Sequence, residues 1–282
     1  MVLNMMVNVP YFKYFRRMNN GKQVFGTQEW AVKNANFING CHHNCKYCYS
    51  KEMAIRFKRK TPSNWQDEEV DNKQMLKKWK RVDGMIMFPS SHDITPVNLQ
   101  LSIEFLQNLL KSGNEVLIVT KPHYSAIKEI CNRFIDYKSK ILFRFTIGST
   151  DSSILKYWEP NAPSFAERKR SLIYAYKNGF STSVSCEPML DNSIEKLVKT
   201  LLPYITDSIW IGKANFLLRR LKLNGFTDDE TFSKANELIA QQSDINIKKL
   251  YNKLKSNEKI KWKESIKKVV ELEISTVKGL DK

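Results

Sequence analysis

No run of 18 or more apolar residues occurs in the 282-residue sequence, so it holds no bilayer-spanning helix. The opening segment Met1–Pro10 is apolar but lacks a basic stretch and a small-residue cleavage site, and does not read as a signal peptide. Cysteine is scarce. Of five, three are clustered, which argues for metal binding in a reducing cytoplasm rather than a disulfide framework. Internal repeats and low-complexity linkers are missing. Acidic residues are outnumbered, 29 Asp and Glu against 46 Lys and Arg, for a formal charge of +17. That balance favours an anionic partner: DNA, RNA or a nucleotide first, an acidic membrane surface second. The excess is mostly lysine and spread along the chain, as a uniformly basic surface would also have it. With 42% hydrophobic residues the chain fills a core as one large α/β domain or two small ones.

What is present centres on Gly40-Cys41-His42-His43-Asn44-Cys45-Lys46-Tyr47-Cys48-Tyr49. Three thiolates in one short loop suit an iron–sulfur cluster or zinc. A structural zinc site takes four closed ligands, usually as two pairs. This chain has a triplet and no second pair, so the cluster is the favoured occupant, with His42 or His43 as the fourth zinc ligand in the rival reading. Cys131 and Cys186 are too few for a second complete cluster, and Cys131, in an amphipathic segment, reads as core.

After this loop, which follows an expected first strand at Trp30–Ile38, a helix is expected at Cys48–Lys60 and another at Gln66–Lys80. Short apolar runs then alternate with helical patterns. Strands are expected at Gly84–Pro89, Glu115–Thr120, Lys140–Gly148, Phe180–Glu187 and Asp207–Gly212. The helices fall near Val97–Lys111, Tyr124–Tyr137, Ser164–Lys177 and Ser193–Leu202. Six strands alternating with helices predict parallel pairing through right-handed crossovers. The fold class is α/β, a partial (β/α)6 barrel of parallel strands. Residues 1–29 are read as an N-terminal arm, 30–215 as the barrel, and 216–282 as a C-terminal helical extension with helices at Glu230–Gln241 and Ile247–Val270.

Chemistry in such barrels gathers where strands feed their helices. Those positions carry Ser90-Ser91-His92-Asp93, Thr120-Lys121-Pro122-His123, Gly148-Ser149-Thr150-Asp151, Ser185-Cys186-Glu187-Pro188 and Lys213-Ala214-Asn215. With the cysteine loop after the first strand, six polar strand ends favour an enzyme. Alternation turns Arg144 and Thr146 to one face and Phe143, Phe145 and Ile147 to the other. A buried Arg144 needs an anionic partner, expected to be Glu187 or a ligand carboxylate. Cys186, beside Glu187, is a candidate hydrogen-atom donor. His92 and His123 take either site or loop-capping roles. Lys121 and Lys213 are candidates for phosphate or carboxylate contact. The basic segment Lys51–Lys60 is the patch expected to meet an anionic substrate.

The spacing of Cys41, Cys45 and Cys48, with Tyr47 before the last, resembles the radical S-adenosylmethionine superfamily. Thr120–His123, Trp158–Ser164 with Glu167-Arg168, and Cys186–Met189 resemble its branch related to spore photoproduct lyase. The resemblance implies a [4Fe-4S] cluster on the three cysteines, with one iron open to S-adenosylmethionine. It further implies reductive cleavage to a 5′-deoxyadenosyl radical and hydrogen abstraction from a substrate, fed by an external flavodoxin- or ferredoxin-like electron donor. Pro89-Ser90-Ser91-His92 stands where the family carries a Gly-Gly-Glu-like element, leaving Ser90 and Ser91 to hold the methionine end. Ser149 and Thr150 resemble the ribose- or carboxylate-contacting position, and Tyr47 is placed at the adenine. The expected substrate is a nucleic acid or nucleotide, in DNA modification or lyase-type repair. The alternatives are radical modification of a peptide or small metabolite and, in another class, a zinc-stabilised nucleic-acid binder without catalysis.

Overall fold

A computed structural model describes residues 22–279; of the expected arm at 1–29, residues 1–21 lie outside them. Seven strands form one sheet: β1 (Lys33–Asn34), β2 (Met85–Phe88), β3 (Glu115–Thr120), β4 (Ile141–Thr146), β5 (Ser181–Cys186), β6 (Ile209–Ile211) and β7 (Ile260–Trp262). They lie side by side in chain order, and every neighbouring pair is parallel. This sequential order is that of an open barrel wall, in which β1 and β7 remain edges among the described residues.

Period-two alternation divides the strand residues between two environments. Ile86, Val116, Ile118, Phe143, Phe145, Val184, Cys186, Ile209 and Ile260 join the apolar core under the helices. That core receives Ile103, Leu106 and Leu109 from Leu99–Lys111, Ile127 and Ile130 from Tyr124–Arg133, Leu172 from Phe165–Lys177 and Leu197 from Ile194–Leu201. Each such side chain contributes ~1.5–3 kcal/mol by leaving water. The opposite face carries Met87, Leu117, Leu142 and Trp210, closed below by Trp30 and Ala31. Above this floor the same face turns polar.

The alternation expected for β4 is therefore observed, but Arg144 finds a different anion. It lies 4.7 Å from the Trp30 ring and 5.3 Å from the Trp210 ring, donates to Ser183 Oγ, and pairs with Asp207 Oδ2 at 3.2 Å. Glu187 is instead 3.4 Å from Lys263. Arg144 sits partway along β4, level with Val119 and Ser183, and reaches back to the loop before β6 rather than forward to the strand ends.

Three expected elements are redistributed. Trp30–Ile38 yields only the two-residue β1, because Trp30 and Ala31 form the floor and Ile38–Asn39 pairs antiparallel with Glu69–Val70. Gln66–Lys80 is helical only at Asn72–Met75, where Asp71 caps a single turn through Gln74 N–H. Ile247–Val270 is not one helix. It divides into a helix at Asp244–Leu254, β7, and a turn of helix at Glu264–Lys267. Ile260 N–H bonds Asn257 O at 2.9 Å, making the turn, and Ile260 and Trp262 then face the core as a strand pair does. Two helices had no sequence expectation, Ser152–Trp158 and Leu217–Leu223.

Candidate active site

The cysteine loop starts with a backbone constraint. Gly40 has φ +106°, and a Cβ there would lie 2.5 Å from Asp67 O, so glycine alone fits. Cys41 N–H donates to Trp65 O at 2.9 Å, and Asn44 takes a left-handed φ of 48°. Cys48 caps the helix Tyr49–Arg56, its sulfur accepting from Lys51 N–H. The helix N-terminus thus faces the loop with backbone donors. From outside, Leu217, Leu221, Ala235 and Leu238 pack on Cys45 and Tyr47, and Asn224 Nδ2 holds the carbonyls of Lys46 and Cys48.

A cavity of about 500 Å³ opens above the Trp30 floor, within the range of small-molecule and cofactor sites. One wall is Cys41, Cys45, Tyr47 and Cys48; the others come from Ser90 to Asp93, Val119 to Lys121, Thr146, Ser185, Glu187, Lys213, Asn215, Phe216, Arg220, Lys263 and Glu264. Of the sequence-predicted candidates, Tyr47, Ser90, Ser91, Lys121, Glu187 and Lys213 meet there with the three cysteines. Arg144 is in the floor. Cys186 is fully buried on the helix side, where period two must put it once Ser185 faces the cavity. It is therefore not placed to hand hydrogen to anything in the cavity. Ser149 hydrogen-bonds Asp191 and accepts from Asp151 N–H, a loop staple, and Thr150 beside it is also outside the cavity. The reason is that β4 ends at Thr146 and the chain leaves through Gly148, packed against Pro188 O and Leu190.

Two charge networks flank the cavity. On the cysteine side, Asp93 accepts from Thr120 Oγ and Lys121 N–H, meets His43 Nδ1 at 3.1 Å and lies 3.8 Å from Lys121 Nζ. Burial alone would raise its carboxyl, but His43 and Lys121 hold it well below the usual carboxylate range. His43 Nε2 is 2.8 Å from His123 Nε2. Burial would strip the Lys121 proton, yet Cys45, Glu159 and Asp93 keep the ammonium charged. Beneath it, Glu159 is fully buried, accepting from Tyr47 OH and from Arg168 Nη2 at 2.5 Å. Arg168 also donates to Pro163 O and Thr146 O. His92 lines the cavity with neither ring nitrogen hydrogen-bonded, and burial depresses it to about 3, so it is a neutral imidazole. Asn36 fixes this β2 loop, its Oδ1 accepting from Ser90 and Ser91 N–H.

On the far side, Lys263 lies 2.7 Å from Glu29 and 3.4 Å from Glu187, 4.1 Å over the Trp30 ring, and donates to Gly26 O. Glu264 stands next to it. One ammonium serves three carboxylates. Burial, opposed by Lys263 and reinforced by Glu264 and Glu187, pushes Glu29 up to about 9. A carboxyl raised in the fold stabilises it fully below the unfolded value and loses that stability as pH rises through the folded one. We therefore expect Glu29→Gln to be at least as stable as the wild type at pH 7. Its advantage grows toward pH 9, by up to ~1.4 kcal/mol per unit. Thermal melts across that window check this; a loss of ~3–5 kcal/mol at every pH would mean an ionised pair instead.

Sequence reasoning missed Glu29, Asn36, Phe216, Arg220, Lys263 and Glu264. Phe216, Arg220, Lys263 and Glu264 line the cavity from the segment read as a helical extension, while Glu29, from the arm, and Asn36, from the expected first strand, brace residues that line it; no local pattern marks them.

The donor set suits a multi-iron cluster. Cys41 and Cys45 are buried thiols, Cys45 pushed up to about 12 and Cys41 well above its ordinary value, by burial first and by neighbouring negative charges. Such thiols become thiolates only against a cation. Among the described residues no three His, Cys, Asp or Glu side chains gather around a single-ion position. The three thiols instead line a wall, as ligands to the corners of a cluster do. Cys41, Cys45 and Cys48 would hold the cluster, with Tyr47, Ser90, Ser91, His92 and Lys121 within the same cavity to hold S-adenosylmethionine.

A family model described as the Radical SAM superfamily matches residues 35–202, more than half of the chain. An uncharacterized protein, ORF301, of Acidianus two-tailed virus is 25% identical over 198 residues, covering 66% of this chain and 64% of that protein. The chain thus spans less than two thirds of that relative's length. Among solved structures, a spore photoproduct lyase mutant with dinucleoside spore photoproduct matches with a TM-score of 0.50 at 14% identity, over 73% of this chain and 64% of that one. Streptococcus suis SuiB bound to S-adenosylmethionine gives 0.49 at 12% identity, over 88% and 54%. At 14% identity the lyase structure speaks to the fold alone. The family match and the three cysteines on one cavity wall lead to a single conclusion: the chain belongs to the radical S-adenosylmethionine superfamily, whose enzymes use a [4Fe-4S] cluster and S-adenosylmethionine.

Proposed function

We propose that this enzyme acts on a nucleic acid or nucleotide, by radical hydrogen abstraction inside the cavity above the Trp30 floor. When bound, the cluster and S-adenosylmethionine supply a 5′-deoxyadenosyl radical by one-electron cleavage. The chain's own part is positioning and exclusion of water. Lys121, kept charged by its neighbours, faces anionic groups of the cofactor; Ser90, Ser91 and the neutral His92 offer hydrogen bonds at the β2 end.

The observation that carries the substrate reading is the basic rim at the cavity mouth. Buried Glu52 pairs with Arg56, Arg219 and Arg220, joining the helix Tyr49–Arg56 to Leu217–Leu223. Arg220 lines the cavity, and Arg56 and Arg219, which share Glu52 with it, are exposed beside it. Lys51 belongs to the loop instead, buried and donating to Asn44. On a chain of +17, such a rim suits phosphates. It also suits an acidic flavodoxin- or ferredoxin-like donor, in a reducing compartment such as the cytoplasm.

Reconstituted, reduced protein with S-adenosylmethionine should release 5′-deoxyadenosine. Its affinity for a single strand should fall with salt at a logarithmic slope of roughly −2 to −3, as three or four phosphate contacts give. A flat salt response would leave a neutral peptide or metabolite as substrate. Failure to form 5′-deoxyadenosine would remove the enzymatic reading.

A further inference from the structure

Phe216 is an anomaly of the described surface. Its φ of 55° is left-handed, a region a bulky side chain enters at a cost, and nothing in the core repays it, since the ring is 65% exposed. It precedes the helix Leu217–Leu223 with no side-chain capping bond. Yet it lines the cavity mouth, and Arg219 sits 4.7 Å over its ring. Asparagine or glycine would take this backbone more easily, so the ring itself requires explanation.

Behind the ring lies hydrogen-bonding capacity without a partner. Asn215 Nδ2 is 3.4 Å from Glu264 Oε1, while the other Glu264 oxygen is buried and bonded to nothing. Both residues line the cavity, as does Glu187 beside Lys263. A flat apolar face at the entrance, acceptors within and guanidinium groups around the rim correspond to the three parts of a nucleotide: ring face, polar edge and phosphate.

We infer that Phe216 is the stacking platform for one unstacked nucleobase of the substrate, whose N–H edge is read by Glu264 and Asn215. This rests on the nucleic-acid reading above and adds to it the subsite and the group recognised.

The test titrates reconstituted holoenzyme, with S-adenosylmethionine present, against an oligothymidylate of about ten nucleotides and an abasic strand of equal length and charge. Wild type should prefer the base-bearing strand by about tenfold. Phe216→Ala and Phe216→Asn should both erase that preference while keeping the salt slope. Phe216→Trp should retain it. Phe216→Asn, which suits the left-handed backbone, should melt no lower than wild type, so its lost preference cannot be ascribed to unfolding. Equal binding of both strands by wild type overturns the inference and leaves the nucleic-acid reading standing. Persistence of the preference in Phe216→Ala overturns it too. Binding of neither strand overturns it together with the nucleic-acid reading.

Discussion

Alanine at Cys45 is expected to yield a folded protein that takes up sub-stoichiometric iron, lacks the visible absorbance of a cluster, and forms 5′-deoxyadenosine at least about a thousandfold more slowly, ~4 kcal/mol in barrier. The size follows from the setting. Burial first, and then Glu159, Cys48 and Asp93 against the opposing Lys121, push the Cys45 thiol up to about 12. At neutral pH it surrenders its proton only to iron, and two remaining thiols hold a cube poorly. Assembly must release protons, so cluster loading in the wild type should strengthen as pH rises from 6 to 8. Cys131→Ala is the control, since Cys131 packs under the helices with Ile127 and Ile130. It should lose stability but keep its iron. A colourless wild-type protein carrying one zinc after anaerobic reconstitution would reverse the interpretation.

The second large effect concerns stability. Glu159→Gln should cost ~3–5 kcal/mol, because it leaves the Arg168 guanidinium at 0% exposure with no anion to meet it. For a chain of this size that is roughly a 10 °C fall in Tm. Burial would raise the Glu159 carboxyl, but Arg168 and Lys121 hold it below its ordinary value. A carboxyl depressed in the fold contributes its full stability above the unfolded value and loses it as pH falls through the folded one. The deficit of the variant should therefore be flat from about pH 5 to 8 and narrow only in stronger acid. Removing both charges, in Glu159→Gln with Arg168→Met, should recover part of the loss, and a double-mutant cycle measures the coupling. If Glu159→Gln melts with the wild type, the pair is not ionised and the network around Tyr47 needs another account.

How far the chain could be read in advance varied with the range of the forces involved. β3 matches its expected bounds, Glu115–Thr120, because a buried parallel strand is an unbroken apolar run between polar ends. The helix expected at Ser164–Lys177 is equally local and forms at Phe165–Lys177, where Ser164 accepts from Glu167 N–H. β7 was hidden, because three residues gain strand character only from the register Ile209↔Ile260 and Ile211↔Trp262. The cysteine wall of the cavity was legible as spacing. The far wall was not, because Glu29 and Lys263 become neighbours only after the whole sheet has formed between them. Arg144 shows the same limit: alternation gave its face, but its anion, Asp207, came from beyond the next strand.

The bond from Lys263 Nζ to Gly26 O spans 237 residues, and this has a bearing on the order in which the protein is made. Synthesis delivers the cysteine loop and β1 to β6 before β7, with Lys263 and Glu264. Contacts of such separation carry a large closure entropy and form late. During translation the far side of the cavity therefore stands open while the thiols are already in place.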